Sequence, residues 1–306
     1  MFGAVLIYNI NRNIYKSSFM LDNYKINKRF VEFPEPEEVS RIRNTILNSF
    51  KNLEFQEGPH KYFLHNDDGS ITELPSVSAT THKYANEFDS IERSEAYALK
   101  HGETPEYWRD QWQYKNNTAT ITGTLVHEFG ESLGWIRTGH PENICESCKS
   151  KYISDKGWLV PTREKEKAVV KFWDDTPDNY HVILPEAKVY NLTSVKNPYA
   201  GTLDLLMYYD NKENPEKSGC VLMDYKTNEN IYNEYNEKIK RCLKPDFDDM
   251  IDCPYSLYVL QLNLYQLALE NIGINIIGRR LIWLKPDATY ELVKIPNIIK
   301  RIKESF

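Results

Sequence analysis

Two short apolar runs lie close together just past the middle of the chain, and the rest of the pattern is organised around them. The first reads Y-A-G-T-L-D-L-L-M-Y-Y from Tyr199, and the second reads C-V-L-M-D-Y-K-T-N to Asn228. A polar turn rich in Asn, Pro, Ser and Gly separates them, which predicts two adjacent antiparallel strands. Upstream, Val39, Ile42, Ile46, Leu47 and Phe50 recur at helical spacing, so a helix is expected from about Glu37. A hairpin is expected to turn at Asp68-Gly69. Residues from Phe88 to about Lys115 read as helical, with Ser90 as N-cap and breaks at Gly102 and Pro105. A helix around His127 follows, then a proline-started amphipathic helix over 161–174 whose charges read as a solvated face. H-V-I-L-P-E-A-K-V-Y reads as a strand, with Pro185 marking an edge or a bulge. After the central pair come a polar connection over 229–253, a strong helix through Leu257 and Leu267, and two strands, R-R-L-I-W-L and Y-E-L-V-K-I. Residues 1–35 have no clear period and read as an appendage, with F-G-A-V-L-I-Y as a strand or packed arm.

Charges interrupt the central strands where a buried strand should carry none. Asp204 stands in the first, and Asp224 and Lys226 close the second. Side chains two apart in a strand share a face, so Asp224 and Lys226 point the same way. Two carboxylates and an amine on one face cost several kcal/mol unless compensated, typically by a metal ion. The plainer alternative is a strand-end ion pair with Asp204 in a turn. Glu186 intrudes beside Pro185 and could reach a neighbouring metal. His127 and Glu131 are four apart on one helix face, and Gly123-Thr124 upstream would let the start of that helix approach another backbone or a phosphate. Gln261 and Tyr265 likewise share a face of the later helix. Trp112 and its aromatic neighbours read either as core or as platforms for unpaired bases.

A net charge of −6 excludes nucleic-acid binding through a global basic field and leaves only local contacts. The compact cluster Lys238, Lys240, Arg241 and Lys244 is the natural phosphate candidate, or else a solvated helix face. No apolar run is long enough for a membrane span, and the opening residues lack the flanks of a secretory signal. Five cysteines suit a reducing cytoplasm, and Cys145 and Cys148 lack a second matching pair, so no structural zinc is expected.

G-T-L-V-H-x-x-x-E, an isolated strand Glu, G-T-L-D, M-D-Y-K-T and Q-L-x-x-Y occur in that order. The ordered set resembles the RecB-type branch of the PD-(D/E)xK nuclease superfamily over about residues 118–295. The resemblance implies an α/β fold, a restriction-endonuclease-like core (118–306) whose mixed central sheet is flanked by helices. An N-terminal helical extension (1–117) with a hairpin and aromatic helices would arch over the site. It also implies that His127, Asp204, Asp224 and the Tyr225 carbonyl hold Mg²⁺ or Mn²⁺, with Lys226 catalytic and Glu186 beside the metal. Gln261 and Tyr265, with Thr124 and Glu131, would brace the site or touch the DNA backbone. Several relatives hold an iron–sulfur cluster with three cysteines downstream of the site. This chain has none after Tyr265, so no cluster is expected.

The expected activity is a metal-dependent deoxyribonuclease acting on DNA ends or single strands and leaving 5′-phosphates. Recombination or replication proteins would be its partners. A structure-specific endonuclease and a non-catalytic nucleic-acid-binding protein on the same fold are the alternatives.

Overall fold

A computed structural model describes residues 35–153, 157–193 and 197–306. The arm expected at the start of the chain lies outside the described residues. The centre is a five-stranded mixed sheet in the order β10-β9-β8-β7-β6, built from β6 (Tyr180–Asn191), β7 (Tyr199–Tyr209), β8 (Gly219–Lys226), β9 (Ile276–Leu284) and β10 (Tyr290–Lys294). The β7–β8 hairpin is antiparallel, as the two apolar runs predict, while β8 and β9 are parallel. A parallel pair needs a crossover, and α8 (Pro254–Glu270) supplies it after the short helix α7 (Glu234–Lys238).

Alternation along the strands sorts the core into two layers. Leu206, Cys220 and Leu222 face α1 (Glu37–Ser49), α8 and the terminal helix α9 (Ile299–Ser305). Leu205, Met207, Val221 and Met223 face α4 (Pro105–Arg137) and α6 (Glu164–Asp175). Strand β8 is buried along nearly its whole length, as a central strand between two helical layers must be.

The helix expected near Glu37 forms. Val39, Ile42 and Ile46 are buried in the same cluster as α8. Its Arg43 donates to the carbonyls of Ile183 (2.7 Å) and Val182 (3.1 Å), where the β6 register slips. Pro185 therefore does mark an edge strand, and a side chain satisfies its irregular backbone. The three-stranded sheet β1 (Leu53–Gln56), β2 (Lys61–His65), β3 (Ile71–Leu74) contains the hairpin expected at Asp68-Gly69. Short α2 (Val77–His82) carries the chain from it towards α3 (Ser90–His101).

Three expectations are corrected. Asp89, not Ser90, caps α3, its carboxylate accepting from the backbone N–H groups of Ile91 and Glu92. Gly102, at φ +88°, ends α3 as a left-handed cap. From Pro105 the helix then runs unbroken to Arg137, so the expected boundary at 117/118 falls inside α4. No glycine or proline lies between Pro105 and Gly123 to stop it. Finally, Glu166 of α6 is fully buried instead of solvated, bonded to Lys151, Arg163 and the backbone of Thr162. Between α4 and α6 lie α5 (Glu146–Lys149) and a two-stranded ribbon, β4 (Tyr152–Ile153) with β5 (Trp158–Leu159).

Candidate active site

Three carboxylates fall in line across three adjacent strands. The β6–β7 register pairs Pro185 with Leu205 and Ala187 with Leu203, which sets Glu186 opposite Asp204. The β7–β8 ladder ends at Leu205 and Met223, so the next position on each strand sets Asp204 opposite Asp224. Like charges directly opposite one another in a sheet repel. Two backbone irregularities accompany the row. Glu186 takes a left-handed φ of +51°, which interrupts its own pairing, and β7 and β8 part beyond Leu205.

Two cations meet the row. His127 Nδ1 lies 3.1 Å from Asp204 Oδ2, and Lys226 Nζ lies 2.6 Å from Asp224 Oδ2. The Tyr225 N–H also donates to Asp204 Oδ2 at 2.8 Å, fixing that carboxylate in the gap between the strands. The Asp224 oxygen meets the ammonium at ion-pair distance but outside hydrogen-bond geometry, so it has no well-angled donor. Side-chain exposure falls from 28% at His127 to 13% at Asp204 and Lys226 and 4% at Asp224, so the site opens on the His127 side.

Protonation follows from these pairings. Burial raises the Asp224 carboxyl, and the Asp204 charge adds to it, to about 6 despite Lys226. Burial, then Asp204, Glu131 and Asp224, holds Glu186 well above the ordinary carboxylate range. Burial would also raise Asp204, but His127, Lys226 and the Tyr225 N–H outweigh it and keep the group low. Burial opposes the charged forms of His127 and Lys226, yet the carboxylates beside them prevail and raise both. The row therefore splits into a firmly ionised centre, Asp204, flanked by two carboxyls that hold protons more readily.

Helix α8 lies against this face. The Tyr265 hydroxyl donates to the Thr202 carbonyl at 2.9 Å, and Gln261 Nε2 donates to that hydroxyl at 3.4 Å. Gln261 and Tyr265 thus brace the strand that carries Asp204. Tyr258, one turn earlier, was not anticipated. Its ring lies 4.3 Å beneath Lys226 Nζ, and its hydroxyl donates to Asn228 Oδ1 at 2.7 Å. The i, i+3, i+7 stripe Tyr258–Gln261–Tyr265 is the sequence signal that would have found it. Also unanticipated, Tyr62 of β2 is 3.1 Å from Thr202 Oγ1, and Lys165 of α6 donates to the Thr227 carbonyl just past Lys226.

Other expected residues sit differently. Gly123 and Thr124 are in mid-helix, not at a helix start, because α4 begins at Pro105. Gly123 does allow a close approach: a Cβ there would stand 3.2 Å from Thr227 Oγ1. The exposed Thr124 hydroxyl donates to the Thr120 carbonyl within its own helix. Glu131 accepts from Trp135 Nε1 (3.1 Å) and the Cys145 thiol (2.9 Å), so it is held by its own shell and acts on Glu186 through its charge. Burial and that Glu131 bond push the Cys145 thiol up, and burial raises Cys148 as well. In the basic cluster, Lys238 and Lys240 are exposed. Arg241 instead pairs with Asp252 at 3.5 Å and donates to the Glu87 carbonyl. Trp112 packs edge-on to Phe88 and Tyr97.

Glu186, Asp204, Asp224 and His127 make a hard-oxygen set with one imidazole, the chemistry that suits a divalent cation. As the side chains stand, Lys226 and His127 each engage a carboxylate. No three His, Cys, Asp or Glu side chains among the described residues converge into a ready-made cage. No helix among these residues is long and apolar enough to cross a membrane. No protein-family model matches the chain, and no curated protein matches it in sequence.

Proposed function

We propose that the chain is a metal-dependent deoxyribonuclease of the PD-(D/E)xK type, cutting phosphodiester bonds at DNA ends or in single strands to leave 5′-phosphates. The observation that carries this reading is the carboxylate row Glu186–Asp204–Asp224, met at one side by His127 and at the other by Lys226. A binding scaffold has no use for three carboxylates in line, two of them driven towards protonation. The poorly satisfied Asp224 oxygen and the strained Glu186 backbone fit a row of carboxylates that a divalent cation would compensate.

Asp204, Asp224, His127 and the Tyr225 carbonyl would hold Mg²⁺ or Mn²⁺, with Glu186 beside them. Such an ion, when bound, polarises a phosphate oxygen and makes hydroxide available near neutral pH. The protein supplies the rest. Lys226, kept protonated by Asp224, donates N–H bonds that orient the attacking water and stabilise charge developing on the phosphoryl oxygens. Tyr258 fixes the ammonium from below, and Tyr265 with Gln261 fixes the strand beneath Asp204. His127 is more exposed than Asp204, Asp224 and Lys226, so a phosphate would enter on its side.

The test is purified protein with Mg²⁺ or Mn²⁺ on linear and circular DNA, single- and double-stranded. Asp204→Ala, Asp224→Ala and Lys226→Ala should each abolish cleavage in a folded protein. Near wild-type single-turnover cleavage by the Asp224 or Lys226 variant would show that the site is misassigned. Rapid linearisation of circles would replace the end-dependent reading with an endonuclease.

A further inference from the structure

A cavity of about 570 Å³ opens between the α3–α4 pair and the N-terminal end of α8. It is within the size range of small-ligand sites. Its aromatic wall is Phe88, Trp112 and Tyr97. Trp112 is edge-on to both neighbours, at ring-centroid distances of 5.7 and 5.8 Å. Tyr235 of α7 also lines the cavity. Phe88 is 66% exposed, Tyr235 59% and Tyr97 42%. Several exposed rings thus converge on one concavity, where a flat ligand can reach them.

The polar part of the lining is built, not incidental. Asp252 accepts from the Asn86 backbone and side chain and pairs with Arg241. Asn236 Nδ2 donates to the Asp252 carbonyl at 2.6 Å, and its backbone N–H is capped by Asn233. These bonds tie the loop after α2 to the α7 segment. Arg93 is exposed on the lining and makes no side-chain bond or ion pair among the described residues. Lys238 and Lys240 continue the same α7 segment, also exposed. Leu257, which also lines the cavity, adjoins Tyr258, the residue beneath Lys226.

We infer that this cavity takes an unpaired nucleobase of the DNA strand, with Arg93 on the adjoining phosphate. Aromatic faces accept any base by stacking, and a free guanidinium at the rim matches the backbone charge. Neighbouring exposed lysines would extend the phosphate track. The identity of the strand rests on the nuclease reading, but binding is measurable without cleavage, so the two can fail separately.

The test uses the full chain in EDTA, a fluorescent oligothymidylate, the same length of abasic strand, and a blunt duplex. Phe88→Ala, Tyr235→Ala and Arg93→Ala change exposed side chains, and unchanged thermal melting verifies the fold. Each aromatic variant should weaken oligothymidylate binding about five- to a hundred-fold. The same variants should leave abasic-strand binding unchanged. Arg93→Ala should reduce the salt slope by about 0.7 on both strands. Wild-type affinity in both aromatic variants, or equal losses on the abasic strand, would overturn the proposal. If the wild-type chain cuts no DNA yet shows this base dependence, the pocket stands and the nuclease reading falls. Cleavage with indifferent pocket variants gives the reverse.

Discussion

The Tyr265 ring lies where a side chain at position 201 would begin. A Cβ on Gly201 would stand 2.7 Å from Tyr265 Cε1 and 3.0 Å from Val77. The glycine of G-T-L-D therefore lets α8 settle onto β7, and the Tyr265 hydroxyl bonds Thr202, two residues before Asp204. Gly201→Ala should cost about 1–3 kcal/mol through overpacking. Tyr265→Phe, which keeps the ring and loses one bond, should cost about 1 kcal/mol. Chemical denaturation of the two variants and of Gly201→Ala in a Tyr265→Ala background measures the coupling. The alanine penalty should shrink when the ring is gone.

Glu186 should trade stability against activity. Burial first, then the Asp204 charge, raises its carboxyl above the ordinary 4.5. For an acid with a raised folded value, the stabilising contribution is present below the unfolded value and lost as pH rises through the folded one. Glu186→Gln mimics the protonated form, so without metal the variant should melt higher than wild type near neutral pH. The two should converge as pH falls towards 4.5. If the proposed function holds, the same variant cuts DNA more slowly. Melting scans across pH, with cleavage assays on the same preparations, separate these effects.

Glu166 carries the opposite sign. Burial would raise it, but Lys151, the Thr162 N–H and Arg163 outweigh burial and hold it below 4.5. Its contribution is complete above that value and is lost as pH falls through the lowered folded one. Glu166→Gln should cost about 2 kcal/mol at neutral pH, the scale of hydrogen bonds to a charged group. The difference in melting temperature between variant and wild type should shrink in acid below about pH 4.5.

Much of this arrangement was legible in the chain. The two apolar runs and their polar turn gave β7 and β8, and Pro185 gave the edge strand. Period two placed Asp224 and Lys226 on one face, and they meet at 2.6 Å. What escaped depends on tertiary contact. The row of three carboxylates exists only because two registers align, and register is not written in any one strand. The left-handed Glu186 stands in that row and carries no glycine or asparagine signal. One miss had a local signal. The uninterrupted span from Pro105 to Gly123 predicts one long helix, and splitting it put a domain boundary inside α4. The spacing of Val39, Ile42 and Ile46 marked a buried face, although which core it joins could not be read from spacing.

Tyr258 should prove a positioning residue for Lys226. The ammonium sits 4.3 Å above the ring and 2.6 Å from Asp224, so two contacts hold it over the site. A desolvated cation–π contact is worth up to about 2 kcal/mol. Tyr258→Leu frees the ammonium to lean further onto Asp224 and should slow single-turnover cleavage by about ten-fold or more. DNA binding in EDTA should change little, because Asp224 still holds the charge in place. Tyr258→Phe keeps the face and loses only the bond to Asn228, so it should retain most of the wild-type rate. A purely structural role would make both variants melt lower and lose activity in proportion. Equal loss in Phe and Leu would instead assign the effect to the hydroxyl and its grip on the loop after β8.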